Sequence, residues 1–245
     1  MSPGIGAGWI DVGGTYAMFD GVESPVTQTF GFGLFSPASS ADLDTIEEFF
    51  RAKGAPAFHE VCPLADPAHG IMLTERGYQA IEFSSVMYQP IHDATGIAAA
   101  RGSTIRVRTV DKREQDLWAR TAAEGWGDTP GLEASLLDIG KIVAERVDAI
   151  MFLAEDDGDD GRAIATAAMS ISDGVALFAG ASTIPAARHR GAQFALLAHR
   201  LSYAAANGCD LAMMVALPGS GSQRNAERNG FRIAYTRTKW RRALG

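Results

Sequence analysis

Positively charged side chains surround a single glycine where an alanine- and leucine-rich helix is predicted to begin. In "AARHRGAQFALLAHRL", Arg188, His189 and Arg190 directly precede Gly191. The first amide groups of a helix have no partner within it and carry the positive end of its dipole, so they suit an anion such as a pyrophosphate. Glycine lets the anion approach the backbone, and arginine adds bidentate hydrogen bonds. The alternative is a solvated basic loop before a core helix, and spacing alone leaves both open.

Other polar motifs point to structure rather than chemistry. "DVGGT", at residues 11–15, resembles the phosphate loop of sugar kinases of the actin-like ATPase superfamily, but those proteins need a second full domain and further phosphate loops. A hairpin with a Gly-Gly turn is therefore favoured over a kinase. "DDGDDG" lacks the full calcium-loop pattern and predicts a solvated hairpin tip. The histidines and the two distant cysteines, Cys62 and Cys209, have no metal-ligand spacing, so no metal is expected.

Composition indicates an ordinary globular protein of 245 residues, with 47% hydrophobic residues. Acidic residues outnumber lysine and arginine by 29 to 22, a formal net charge of −7, which argues against a general nucleic-acid binder. The N-terminus has no secretory signal pattern, and no apolar stretch is long enough to span a bilayer. We therefore expect a cytoplasmic enzyme that binds neither nucleic acid nor membrane.

The first half of the chain alternates strand and helix signals. "TQTFGFGLF" is predicted as a strand, and Leu43, Ile46 and Phe50 then have helical spacing. Ser40 is the predicted N-cap of that helix and Gly54 its C-cap. "PAFHEVC", "HGIMLTERG" and "YQAIEFSSVMYQPI" follow as a strand, a short helix and a long strand.

The second half begins with a strand, "TIRVRTV", and a helix for which Asp111 is the predicted N-cap. A second helix should present Leu136, Ile139, Val143 and Val147 on one face. Three strands follow, the last two joined by an Asp-Gly turn, before the helix that begins near Gly191. "DLAMMVAL", a short helix and "FRIAYTRTKWRR" complete the pattern.

The two halves share an order of elements, which suggests an internal repeat. Helix, strand, short helix and long strand recur, and the glycines that bracket the middle elements, Gly54 and Gly77 against Gly208 and Gly230, lie 23 and 22 positions apart. The alternative is a chance similarity between two α/β segments. We predict a truncated N-terminal copy at 1–93, a linker at 94–103 and a complete copy at 104–245.

The charged glycine motif resembles a known family signature. "PAARHRGAQ" followed by "ALL" is similar to the acyl-CoA-binding motif of the GNAT N-acetyltransferases, R/Q-x-x-G-x-G/A, with Arg188 at its first position and Gly191 as its middle glycine. Gln193 stands where the third small residue is usual. The resemblance covers roughly residues 104–242 and implies an α/β acyl-CoA N-acyltransferase fold with a central mixed, mostly antiparallel sheet, preceded by a partial GNAT-like N-terminal domain.

The resemblance implies acetyl-CoA as co-substrate. Its pyrophosphate would lie on the amides from His189 to Phe194, and its pantetheine arm would pair with the main chain of Ala181 and Thr183. The thioester would lie where this strand and "MMVAL" splay apart. The implied cofactor-binding residues are Ala181, Ser182, Thr183, Arg188, His189, Arg190, Gly191, Ala192, Gln193, Phe194 and Asn225. Asn225 could equally bond only to its own helix.

The resemblance also raises the question of a general acid, which must protonate the leaving thiolate. Many GNAT enzymes use a tyrosine at the position that Ala226 occupies here. Ser220 or Ser222 could orient a water molecule instead. Tyr235 on the last strand is another candidate acid, and packing is the alternative explanation for it.

For the base, Glu124 is the first candidate, because it lies at the turn after the first helix, where the family's substrate loops lie. Glu155 and Asp156 are rivals, and each of the three could be a solvated surface acid. The implied function is transfer of an acetyl group to an amine by direct attack in a ternary complex, by a monomer or homodimer. The alternative is a non-catalytic acyl-CoA-binding or regulatory protein.

Overall fold

The structure is a computed structural model that describes residues 6–91, 104–127 and 133–242. The predicted linker at 94–103 lies outside this part of the chain. In chain order the elements are β1 (Gly8–Val12), β2 (Thr15–Phe19), β3 (Gln28–Phe30), α1 (Ser40–Ala52), β4 (Phe58–Val61), α2 (Ala68–Glu75), β5 (Tyr78–Pro90), β6 (Ile105–Thr109), α3 (Gln115–Gly125), α4 (Glu133–Glu145), β7 (Ile150–Asp156), β8 (Arg162–Ser172), β9 (Val175–Thr183), α5 (Ala192–Ala206), β10 (Leu211–Ala216), α6 (Gly221–Arg228) and β11 (Arg232–Arg242).

The chain forms two compact units, and each is made of separate segments. The first unit comprises Met1–Val86, Ala216–Arg224 and Ile233–Gly245, and the second comprises Met87–Val215 and Asn225–Arg232. The chain therefore returns to the first unit for its last strand, β11. The boundaries predicted from the repeat, 1–93 and 104–245, stay a prediction.

In the first unit the strand order is β1-β2-β3-β4-β11-β5. The β1–β2 hairpin turns at Gly13 and Gly14, which have φ values of +60° and +84°, and the Asp11 carboxylate accepts a hydrogen bond from the Gly14 amide at 2.8 Å. This confirms the predicted Gly-Gly hairpin. β3 and β4 run parallel, and the remaining described pairings of this unit are antiparallel.

Two sequence predictions in the first unit are wrong in detail. The strand predicted over "TQTFGFGLF" ends at Phe30, because Gly31 and Gly33 adopt left-handed backbone conformations with φ of +73° and +64°. Helix α1 is capped by Ser39 rather than Ser40: the Ser39 hydroxyl accepts from the Asp42 amide, and the Asp42 carboxylate accepts from the Ser39 amide at 2.8 Å.

Side chains of α1 and α2 form the core of the first unit. Ile46 and Phe50 pack with Ala17 and Phe19 of β2, as the helical spacing predicted. A second cluster joins Phe32, Leu43, Leu73 and Tyr78.

In the second unit the strand order is β10-β9-β8-β7-β6. β6 to β9 pair antiparallel, and β9 and β10 run parallel. Successive side chains of a strand point to opposite faces, so the sheet separates two helical layers. Met151 and Leu153 of β7 pack with Trp118 of α3, whereas Phe152 packs its ring against His199 and Tyr203 of α5.

The apolar face predicted for α4 is wrong at its last residue, Val147. The helix stops at Glu145, and Val147 lies beyond it, fully exposed. Two local predictions are confirmed: Asp111 caps the turn that leads into α3, and Asp173 and Gly174 form the β8–β9 turn with φ of +48° and +77°. The C-cap of α1 is Lys53 rather than the predicted Gly54, which follows it with φ of +65°. The sheet is mixed and mostly antiparallel, as the fold prediction stated.

Candidate functional site

The charged glycine motif connects strand β9 to helix α5. A short 3-10 turn (Pro185–Ala187) follows β9, and Gly191 then forms the N-cap of α5 with φ of +89° and no side-chain cap. His189 also has a positive φ, +63°, and His189, Arg190 and Gly191 are all exposed. The first hydrogen bond of the helix runs from the Ala195 amide to the Gly191 carbonyl, so the amides of residues 191–194 precede the helical ladder.

Both arginines of the motif have partners within the protein. Arg190 forms an ion pair with Asp156, whose side chain is fully buried at the end of β7. Arg188 donates to the carbonyl oxygens of Gly125 at 3.0 Å and Thr183 at 3.3 Å. The charge of Arg190 is therefore balanced by a buried carboxylate of the protein itself.

Asp156 is held in its charged form by several donors. The Thr104 hydroxyl donates to its Oδ1 at 2.8 Å and the Gly158 amide at 3.1 Å, while Arg190 donates to Oδ2. These contacts, the hydrogen bond from Thr104 first, lower the pKa of Asp156. A carboxylate held this way positions Arg190 and is not free to accept a proton as a base.

Gln193 occupies the motif position where a small residue is usual. Its Nε2 atom donates to the Ser182 carbonyl oxygen at 2.9 Å and to the Thr183 hydroxyl at 2.8 Å. The side chain therefore fastens the first turn of α5 to the end of β9. This explains the departure from the motif by packing within the unit.

Strand β9 changes its pairing in the middle. Against β8, Ala179 pairs with Ala168 and Ser182 with Thr166, so Gly180 and Ala181 together oppose the single residue Ala167. Gly180 has φ of +59°, as expected for a bulge built on a left-handed glycine. The bulge bends the strand ahead of the turn to α5.

The parallel pairing of β9 with β10 ends before this bulge. Its last described pair is Phe178 with Met214, although β9 continues to Thr183. Ala179 and Gly180 are exposed, whereas Ser182 and Thr183 are buried. The pairing of β9 with β10 therefore ends at Phe178, and residues 179–183 of β9 have no paired residue on β10.

The end of α3 is fixed tightly against β9. A Cβ atom on Gly125 would lie 2.7 Å from the Ser182 Cβ atom and 2.9 Å from the Thr183 amide nitrogen, so only glycine fits. The Ser182 hydroxyl donates to the Ala122 carbonyl at 3.1 Å and contacts the Thr166 hydroxyl at 3.0 Å. The Ser182 side chain is thus structural.

A cleft of about 540 Å³ opens beside the motif within the second unit. Its lining comes from α3, α4 and the turn after β9: Arg120, Ala123, Glu124, Gly127, Leu137, Pro185 and Ala186. Glu124 is exposed, and its nearest cation is Arg162, whose guanidinium lies 3.7 Å from the carboxylate. The predicted base thus lines a cavity that also borders the end of β9.

The other candidate acids and bases lie in different surroundings. Glu155, a rival base, is buried and bound by Arg106 and Arg108, each at 2.7 Å. Ser222 is exposed on the part of α6 that belongs to the first unit. Asn225 is half-buried on the part that belongs to the second, and its carbonyl oxygen accepts from the Asn229 side chain at 2.7 Å.

Tyr235 lies on β11 in the first unit, beside Cys62 and Glu60. Burial, followed by the charge of Cys62, raises the pKa of Tyr235. Arg237 on the same strand binds Glu60 at 2.6 Å. The position of the usual family acid, Ala226, is buried in the second unit.

Over residues 6–91, 104–127 and 133–242, no cluster of three or more potential metal ligands occurs. Within the same ranges no helix is long and apolar enough to cross a membrane.

Comparison with known proteins identifies the fold. No protein-family model and no curated protein matches the sequence. Among solved structures, the chain is similar to a GCN5-related N-acetyltransferase from Kribbella flavida, with a TM-score of 0.72, 22% identity, and coverage of 98% of this chain and 90% of that one. It is also similar to a tandem GNAT protein from the clavulanic acid biosynthesis pathway, with a TM-score of 0.62, 15% identity, and coverage of 84% and 70%.

A third similar structure is a GNAT-family protein from Novosphingobium aromaticivorans, with a TM-score of 0.58, 17% identity, and coverage of 96% of this chain and 92% of that one. At these identities the likeness establishes the fold. The chain has the GNAT acetyltransferase fold that its sequence motif indicated, and the site described above lies at the strand and helix that carry that motif.

Proposed function

We propose that the protein is a GNAT N-acetyltransferase that transfers the acetyl group of acetyl-CoA to an amine. One observation carries the proposal: β9 separates from β10 after Phe178, bulges at Gly180, and leads into a helix that begins at Gly191 without a side-chain cap. An extended ligand with an anionic end fits this arrangement: its extended part would lie along the open edge of β9, and its anionic end would bind the free amides at the start of α5.

The start of α5 fits a pyrophosphate. The positive φ of Gly191 and His189 turns the backbone around the loop, and no atom of the described residues lies within 4 Å of the position that a Gly191 Cβ atom would occupy. Successive amides in such a loop form an anion-binding concavity. In this proposal the amides of residues 189–194 bind the diphosphate, and Arg190, anchored by Asp156, adds charge at its edge.

Strand β9 would bind the rest of the co-substrate. The amide and carbonyl groups of Ala181 and Thr183 would pair with the pantetheine amides as an added strand would. The bulge at Gly180 turns backbone N–H groups towards the gap between β9 and β10, where one of them would polarise the thioester carbonyl. Arg188 is tied to Thr183 and Gly125, so its proposed role is to hold the loop.

The acceptor amine is proposed to bind in the cleft beside Glu124. A carboxylate that is exposed within a concave lining can accept the proton released when a neutral amine attacks. Ser222 and Tyr235 remain proposals for the proton donor and Asn225 for a cofactor contact.

The domain organisation is also a proposal. Each unit has an antiparallel meander, β1-β2-β3 or β7-β8-β9, whose last strand runs parallel to the strand beyond the next helix. This supports a partial copy at 1–93 and a full domain at 104–245. The cytoplasmic location and the monomeric or dimeric state likewise stay predictions.

Titration calorimetry with acetyl-CoA tests whether the loop at residues 188–194 binds the diphosphate. We expect wild-type protein to bind, and R190A to bind about tenfold to a hundredfold more weakly, because one charge-assisted hydrogen bond is lost. R188A should also weaken binding by loosening the loop. R146A is the matched control, since Arg146 is an exposed arginine paired with Asp148 in the same unit. Unchanged affinity in R188A and R190A would contradict the assignment.

Release of free thiol from acetyl-CoA, measured with a panel of amines, tests catalysis. We expect release with at least one amine and acetylation of that amine in equal amount. E124Q should lower kcat, with acetyl-CoA affinity unchanged. Binding of acetyl-CoA with no thiol release for any amine would favour a non-catalytic acyl-CoA-binding protein.

A further inference from the structure

Helix α5 contains a buried arginine that the proposed site does not use. Arg200 is 3% exposed. Its guanidinium donates to the carbonyl oxygens of Leu196 and Ala168, both at 3.4 Å, and its central carbon lies 4.5 Å from the centroid of the Phe178 ring. Within the described residues no carboxylate forms an ion pair with it.

A buried arginine destabilises the folded protein unless nearby groups stabilise its positive charge. Removing a cation from water costs several kcal/mol, and two long hydrogen bonds and one aromatic face offset only part of this. Burial accordingly lowers the pKa of Arg200 to about 9, so it is still a cation at neutral pH. A buried cation that pairs with no carboxylate among the described residues can stabilise a negative charge that forms nearby during a reaction.

The contacts of Arg200 place its charge at the splay. Phe178 is the last residue of β9 that pairs with β10, and Ala168 is the β8 residue next to the bulge. The guanidinium therefore lies on the α5 side of the sheet, under the segment where the thioester is proposed to lie. The other titratable side chains of this part of α5, His199 and Tyr203, pack against Phe152 instead.

We propose that Arg200 stabilises the thiolate that leaves when the thioester is broken, acting electrostatically from the α5 face of the sheet. This rests on the proposed function. It accounts for a gap in the site: Ala226 occupies the position of the usual acid and is buried. A cation in a region of low dielectric can stabilise developing negative charge without transferring a proton.

The proposed step transfers the acetyl group from the sulfur of CoA to the nitrogen of the amine. The amine nitrogen bonds to the thioester carbonyl carbon, and the C–S bond breaks with its electron pair leaving on sulfur. The nitrogen loses its proton to Glu124 or to water. The thiolate afterwards takes a proton from a proposed donor, Ser222 or Tyr235, or from solvent. Arg200 keeps its own proton throughout, so its role is electrostatic.

The test measures the thiol pKa of CoA bound to the protein. The ultraviolet absorbance of the thiolate is followed against pH, as the difference between complexes with CoA and with desulfo-CoA, which cancels the protein's own thiols. We expect the bound thiol to titrate about one pH unit or more below free CoA in wild-type protein. R200M should return it to the free value or above, and R200K should keep most of the shift.

Kinetics provide the second readout. R200M should lower kcat with little change in the KM for acetyl-CoA, and R146M serves as a matched control. If R200M does not fold, the wild-type titration decides alone, because a bound thiol pKa equal to or above that of free CoA overturns the inference. So does an equal thiol pKa in wild type and R200M. Failure of wild type to bind CoA would overturn the proposed function as well.

Discussion

Gly125 offers the sharpest test of how the site is assembled. It is the last residue of α3, and a Cβ atom there would lie 2.7 Å from the Ser182 Cβ atom and 2.9 Å from the Thr183 amide nitrogen. Real Cβ atoms do not approach a backbone nitrogen so closely, so G125A must move the end of α3 away from β9. Two hydrogen bonds cross this contact: Ser182 to the Ala122 carbonyl at 3.1 Å, and Arg188 to the Gly125 carbonyl at 3.0 Å.

The expected effect of G125A follows from three contributions. Inserting a methyl group into a filled contact costs about 1–3 kcal/mol. Each of the two crossing hydrogen bonds contributes about 1 kcal/mol. Alanine in place of glycine within a helix returns about 1 kcal/mol. The free energy of unfolding should therefore fall by about 2–4 kcal/mol, and acetyl-CoA affinity should fall too, because Arg188 and the end of β9 lose their anchor.

Urea unfolding, followed by circular dichroism and tryptophan fluorescence, measures this change. Gly70 is the matched control, because it lies inside helix α2 and no atom in the described part of the chain comes within 4 Å of its Cβ position. G70A should leave stability unchanged or raise it by about 1 kcal/mol. If G125A unfolds at the same urea concentration as wild type, or is no less stable than G70A, the close approach of α3 to β9 is refuted.

Three further changes test separate parts of the structure. Burial lowers the pKa of His59 to about 3, so between pH 6.5 and 3 the unfolded chain binds a proton that the folded chain does not. Stability should therefore fall by about 1.4 kcal/mol per unit as the pH drops through this range, and pH-dependent unfolding of H59Q should lack that slope. Q193A loses both hydrogen bonds to β9, so its melting temperature should fall, and so should its acetyl-CoA affinity measured by calorimetry. An unchanged affinity would show that the Gln193 side chain does not help to hold the cofactor-binding loop. T104V removes the main donor that lowers the pKa of Asp156, so its stability deficit, measured by urea unfolding, should be largest at neutral pH and shrink as the pH falls through the pKa of Asp156. A deficit independent of pH would contradict that reasoning.

Local features of the fold could be predicted from the sequence because short-range chemistry determines them. The β1–β2 hairpin needs two residues with positive φ, and "GG" provides them at Gly13 and Gly14. The same rule was missed after Phe30, where "GFG" looked like a continuing strand, although Gly31 and Gly33 end it. Glycine inside a strand pattern was the available signal, and it applies again to the bulge at Gly180.

The electrostatics of the site could not be predicted, because the partners are distant in sequence. Asp156 reaches Arg190 across 34 positions, and Arg188 reaches the Gly125 carbonyl across 63. The pairing of β7, β8 and β9 brings Asp156 to Arg190, and the packing of α3 against β9 brings Gly125 to Arg188. The sequence therefore identified the loop as a cluster of charge but assigned both arginines to a ligand, when each already has a partner in the protein.

Helices α1 and α5 each connect two strands that run parallel to one another, and the two helices are capped differently at their N-termini. At α1 the Ser39 hydroxyl and the Asp42 carboxylate satisfy free donors in a capping box, and an acidic side chain already occupies the positive end of the dipole. At α5 the cap is Gly191, without any side-chain acceptor, and the nearby carboxylate of Asp156 is turned to Arg190. An external anion would compete with Asp42 at α1, whereas at α5 it would complete the helix. If the units are copies, the different capping residues support the proposal that the anion binds at α5 rather than at α1.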